Sequence, residues 1–141
     1  MTRVVIDPGV LVSAFISPRK AAPALVVDAV LDGKLDLIVS PLLISELTDV
    51  LMREKFAAHA AEGRAAAYIA VLVDRAEMVA DAPGSVQTDD PDDDYLLALA
   101  ETHDVDAVVS GDPHLHGAGS SHLHVLTPRE LVDRLGLELA D

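Results

Sequence analysis

The chain has 141 residues, half of them apolar, and its ten Lys and Arg against 24 Asp and Glu give a formal net charge of −14. That length fits one compact domain spanning residues 1–141, and a chain of this size buries roughly 68–70% of its unfolded surface without needing a staple. The absence of cysteine excludes a disulfide framework, a zinc ribbon and a thiol nucleophile; the apolar content excludes disorder, and no apolar run approaches the roughly 20 residues of a membrane span.

Met1-Thr-Arg runs directly into Val4-Val-Ile, without the basic start and apolar stretch of a signal peptide, so a cytoplasmic location is expected. Arg3 to Ile6 is a β-branched run that stops at Asp7-Pro8-Gly9, and a first helix follows before Ser17-Pro18. Ala24 to Leu31 reads as a helix with Pro23 in its first turn and Gly33 just past its end. Leu35 to Val39 is a second strand, and Pro41 opens a helix over Leu42 to Glu54. An Ala-rich helix covers Gly63 to Ala76 and is followed by a short strand at Glu77-Met-Val. Asp94 to Thr102 is helical after a run of aspartates; Val105 to Ser110 is a strand ending at Gly111. His124-Val-Leu is a last strand, and Thr127-Pro128-Arg-Glu130 has the pattern of an N-cap, with Gly136 as the stop. Strands that are apolar throughout, alternating with helices, predict a three-layer α/β/α fold around a parallel sheet of about four to five strands.

Ligands of open parallel sheets bind beyond the carboxyl ends of the strands. Asp7 follows the first strand directly, and Asp112 follows Val108-Val-Ser110 after a single glycine. Either one alone is equally well explained as a turn residue. Glu46 lies beside the helical stripe Leu43, Leu47, Val50, Leu51, where a carboxylate is costly unless compensated; in isolation it reads as a boundary residue reaching for solvent or an arginine. Residues 89–94 hold five aspartates, more than helix capping requires. Of these, Asp94 sits on the first helical turn near the core-facing side, with Asp93 as the other candidate for that position. If Asp7, Glu46, Asp94 and Asp112 converge, their mutual repulsion calls for a divalent cation, and an all-oxygen donor set points to Mg²⁺ or Mn²⁺.

Val4-Val-Ile-Asp7 with Leu11-Val-Ser-Ala14, Ser40-Pro41 with Ser45-Glu46-Leu, Asp92-Asp-Asp94-Tyr-Leu-Leu-Ala and Val108-Val-Ser-Gly-Asp112 together resemble the PIN-domain nucleases. The nearest likeness is to the bacterial toxins of the VapC type. Each motif is short, but the ordered set is specific and covers nearly the whole chain. The resemblance implies a metal-dependent ribonuclease that hydrolyses RNA phosphodiester bonds in line. It also implies a homodimer, neutralised by a small antitoxin bound across the active-site groove. Asp7, Glu46, Asp94 and Asp112 match the four family acids, and Ser110 matches a small hydroxyl residue beside the last. By that likeness Asp7, Asp94 and Asp112 are ligands of one or two metal ions that present a water to the phosphate, while Glu46 orients water or holds a second ion. Two positions depart from the pattern: Asp7-Pro8-Gly9 replaces Asp-Thr-Asn, and His114 stands where a further acid is common.

Other signals compete. His114-Leu-His116 and His122-Leu-His124 place four histidines in eleven residues; an H-x-H pair on a strand can face one metal, but Gly117-Ala-Gly-Ser-Ser121 between them reads as a loop. Arg19-Lys20 is the only adjacent basic pair and a candidate phosphate contact, against ordinary surface charge. The Ala-rich stretch from Ala57 to Ala67 allows close helix packing, and by the family likeness the approach of a second subunit. A phosphoacceptor receiver would need an acidic pair after the first strand and a lysine after the last, and a haloacid-dehalogenase-type phosphatase would need Asp-x-Asp; neither pattern is present. The alternative from another class is a noncatalytic PIN-fold binding or regulatory module, favoured by Pro8-Gly9 and His114 and opposed by the four retained acids. Eight of the negative charges belong to residues 89–94, Asp7, Glu46 and Asp112, more than one or two divalent ions offset. The expectation is therefore weak nonspecific affinity for RNA and a basic protein partner.

Overall fold

Five strands pair into one all-parallel sheet in a computed structural model that describes residues 2–17, 21–53, 63–81, 94–116 and 123–136, without the side chains of Asp94 and His114. The strands are β1 (Thr2–Ile6), β2 (Leu35–Val39), β3 (Glu77–Met78), β4 (Ala107–Val109) and β5 (His124–Leu126). They lie in the order β3-β2-β1-β4-β5. Val4 stands opposite Leu37 on one side and Ala107 on the other. Val4, Val5 and Ile6 are all fully buried, as are Val108 and Val109, which is the signature of a central strand pair covered on both faces.

Helices α1 (Pro8–Ile16), α2 (Ala22–Leu31), α3 (Pro41–Leu51), α4 (Arg64–Arg75), α5 (Asp94–Thr102), α6 (Pro113–His116) and α7 (Pro128–Leu135) fill the connections among the described residues. α1 packs on α2 and α3, α4 on α2 and α3, and α7 on α2, making one contiguous helical layer. α5 packs instead on β1 and β4. The chain runs outward from β1 through β2 to β3 and then crosses back to β4; with right-handed crossovers that reversal carries α5 to the opposite face. The predicted three-layer α/β/α arrangement is the one observed, with five strands. The reversal also defines the functional geography, because β1 and β4 diverge at a topological switch point, where open sheets leave a crevice at their carboxyl ends.

Local chemistry explains the boundaries. Ser40 accepts from the N–H of Leu43 and caps α3, and Thr127 with Glu130 forms a reciprocal capping box on α7, as the sequence pattern predicts. Gly33 and Gly136, at φ +79° and +66°, end α2 and α7. α3 stops at Leu51 with Met52 as its C-cap, short of the expected Glu54, which lies outside the described residues. Val50, expected in the buried stripe, is only half-buried, whereas Leu43, Leu47 and Leu51 are fully buried.

β4 is shorter than the Val105–Ser110 run expected. The N–H of Val105 is taken by the carbonyl of Ala100 at the end of α5, so it is lost to the ladder. The segment around His114 and His116 forms the helical turn α6, so the strand geometry that would let an H-x-H pair share a face does not exist there. Fully buried Leu115 pins that turn. His122, Arg19-Lys20, the aspartates before Asp94 and residues 57–62 of the Ala-rich stretch lie outside the described residues.

Candidate active site

Asp7 is the first residue beyond β1. Its N–H is bonded to the carbonyl of Val109 on β4, 2.9 Å away, so the sheet ladder itself carries Asp7 to the edge between the two strands. One carboxylate oxygen, Oδ1, accepts from the N–H of Gly9 at 2.9 Å and caps α1. The other, Oδ2, accepts from the hydroxyl of Ser110 at 2.8 Å. Capping alone would explain the first bond; the second reaches across the sheet to the loop that follows β4.

Ser110 is fully buried, one of only two polar side chains so placed among the described residues, the other being Ser40. Its N–H donates to the Leu126 carbonyl on β5, and its carbonyl lies 2.8 Å from Nε2 of half-buried His116. The hydroxyl that donates to Asp7 accepts in turn from the N–H of Asp112 at 2.9 Å. One buried oxygen therefore registers two of the expected site acids, Asp7 and Asp112. They line a cleft of about 380 Å³ together with Gly9, Ser13, Gly111 and Pro128. A larger hollow of about 450 Å³, lined by Thr2, Asp106, His124 and Arg134 among others, lies toward the amino ends of the strands. There Asp106 is engaged with the N–H of Arg3, and Arg3 bonds Glu77 and the His103 carbonyl. That end of the sheet is latched by structural bonds and is the wrong edge for a ligand site.

Glu46 stands half-buried on α3, at the margin of the Leu43, Leu47 and Leu51 stripe, as its helical position predicts. Its compensation is a hydrogen bond that the sequence reading missed: the Tyr95 hydroxyl donates to Glu46 Oε1 at 2.8 Å. Burial, first, and then that bond and the negative charges of Glu46, Asp7 and Asp81 push the Tyr95 phenol far above its ordinary range. It stays a proton donor at neutral pH.

Asp81 is the other residue not anticipated. It lies three residues beyond the end of β3, and its carboxylate accepts from the N–H of Leu42 in the first turn of α3 at 2.9 Å. Its position after the weak strand Glu77-Met-Val was the available signal. Asp94 opens α5, one residue before Tyr95.

The donor chemistry of Asp7, Glu46 and Asp112 suits a hard divalent cation, which prefers oxygen ligands. Among the described residues no group of three or more Asp, Glu, His or Cys is close enough to enclose an ion. An ion held by Asp7 and Asp112 would need further ligands, and magnesium sites keep several waters in any case.

Residues 3–114 match the family model of the PIN domain. The crystal structure of PAE2754 from Pyrobaculum aerophilum is similar in fold, with a TM-score of 0.59 at 16% identity over 96% of this chain and 90% of that one. Among proteins of curated function none matches the sequence. With the match covering most of its length and the five-stranded parallel sheet in place, the chain belongs to the PIN domain family, whose members are generally nucleases that use divalent metals.

Proposed function

We propose that the protein is a metal-dependent endoribonuclease whose site is built from Asp7, Glu46, Asp94 and Asp112. The observation that carries this reading is the buried Ser110 hydroxyl, bonded to the Asp7 carboxylate and to the backbone of Asp112 at the switch point of the sheet. A buried hydroxyl used to align two acids at a ligand-binding edge is what a preorganised site requires. Asp7, Asp94 and Asp112 would hold Mg²⁺ or Mn²⁺, and a bound cation supplies charge neutralisation for a scissile phosphodiester. Glu46 orients the attacking water or helps hold a second ion. Ser110 and Gly9 keep the two Asp7 oxygens in fixed directions.

The Pro8-Gly9 departure fits this reading. Pro8 opens α1 and the Gly9 N–H orients Asp7, so the change removes a polar side chain and leaves the acid in place. With a net charge of −14, affinity for RNA outside the metal-loaded site is weak. The family likeness supports the role of toxin in a toxin–antitoxin pair, acting as a cytoplasmic homodimer restrained by a small basic antitoxin. No helix among the described residues is long and apolar enough to cross a membrane.

The test is cleavage of a mixed-sequence single-stranded RNA with Mg²⁺ or Mn²⁺ against EDTA. Wild-type protein cleaves only with metal, and Asp7→Asn loses at least about two orders of magnitude in rate, as loss of a group essential to the chemistry does. Equal metal-dependent cleavage by Asp7→Asn would sink the assignment.

A further inference from the structure

We propose that Tyr95 is the positioning residue for Glu46, setting through its bond to Oε1 the direction in which that carboxylate would meet a metal ion. The proposal rests on the nuclease reading above and adds to it a residue outside the four acids. Glu46 has three side-chain torsions and a half-buried place on α3, so packing alone leaves its carboxylate several rotamers. The Tyr95 hydroxyl narrows that freedom by donating to Oε1 at 2.8 Å across 49 residues of sequence.

Both ends of the bond are anchored. Leu96 and Leu97, next to Tyr95, are fully buried, and so are Leu43 and Leu47 on either side of Glu46. The tyrosine ring is a rigid arm with two torsions, so it joins two fixed helices, one of which opens on Asp94. A phenol suits the task better than a lysine or arginine. It carries no charge, so it orients the carboxylate without neutralising it and without repelling a cation.

The experiment is Mn²⁺ calorimetry and steady-state RNA cleavage on the full chain, comparing wild type, Tyr95→Phe, Glu46→Ala and the double variant. Tyr95→Phe keeps the ring and removes only the donor. Its Mn²⁺ affinity falls about 10-fold or more, the usual loss for a group that orients a ligand, and kcat falls with the KM for RNA within about twofold. In the Glu46→Ala background the same substitution changes neither quantity. Glu46→Asp, whose carboxylate falls one methylene short of the phenol, tests the bond from α3 without touching the packing of α5 and shows a comparable loss of affinity.

Wild-type affinity and kcat in Tyr95→Phe, wild-type affinity in Glu46→Asp, or an undiminished Tyr95→Phe effect without Glu46, each overturns the assignment while leaving the nuclease reading intact. Failure of the wild-type protein to bind Mn²⁺ overturns the nuclease reading and the role of Tyr95 with it.

Discussion

Replacing Ser110 with alanine removes one oxygen and two hydrogen bonds, the donation to Asp7 Oδ2 at 2.8 Å and the acceptance from the Asp112 N–H at 2.9 Å. A hydrogen bond to a charged group contributes about 1.5–3 kcal/mol and a neutral one about 0.5–1.5 kcal/mol. Ser110 is fully buried, whereas Asp7 and Asp112 are half-buried, so water recovers part of what both partners lose. The expected net destabilisation is about 2 kcal/mol. Urea denaturation reads this as a lower midpoint at unchanged slope, and in a domain of this size it lowers Tm by roughly 6–8 °C. In Asp7→Asn the acceptor is neutral, so Ser110→Ala costs less there, with a coupling of about 1 kcal/mol in the double-mutant cycle. A loss under about 0.5 kcal/mol, or strict additivity with Asp7→Asn, would refute the claim that this hydroxyl holds the acids in register.

Three further outcomes follow from local geometry. A Cβ on Gly9 would meet Asp7 Oδ1 at 3.6 Å, an ordinary contact, so Gly9→Ala keeps the cap and leaves thermal stability unchanged or raised by about 0.5 kcal/mol. Gly33 has φ +79° at the end of α2, and Gly33→Ala lowers stability by about 1 kcal/mol in the same denaturation assay. The Thr127 N–H, first, and the Thr127 hydroxyl contact hold the Glu130 carboxyl below its ordinary range. Its contribution is therefore complete above the ordinary carboxylate value and is lost as pH falls through the lowered one. Glu130→Gln accordingly shows a smaller drop in Tm between pH 7 and pH 3 than wild type does.

The parts of the candidate site that follow strands are legible because the chain marks them: Val4-Val-Ile ends on Asp7, and Val108-Val-Ser110 is followed after Gly111 by Asp112. Glu46 was legible from its place at the edge of a leucine stripe. What joins them was not. The Tyr95–Glu46 bond depends on α3 and the start of α5 meeting at one sheet edge, which no local pattern encodes. Asp81 follows a two-residue strand whose side chains are exposed, so hydrophobic periodicity is nearly silent there. The competing H-L-H reading fails for a physical reason: the pattern suits a strand by alternation, but buried Leu115 anchors a helical turn beyond Asp112 instead.

The most direct test of the central claim is calorimetric titration of the wild-type protein and Asp7→Asn with Mn²⁺. The account predicts saturable binding below millimolar metal in the wild type and its loss in Asp7→Asn. Absence of binding at millimolar Mn²⁺, or equal binding by Asp7→Asn, would contradict it and favour a PIN fold used as a noncatalytic binding module.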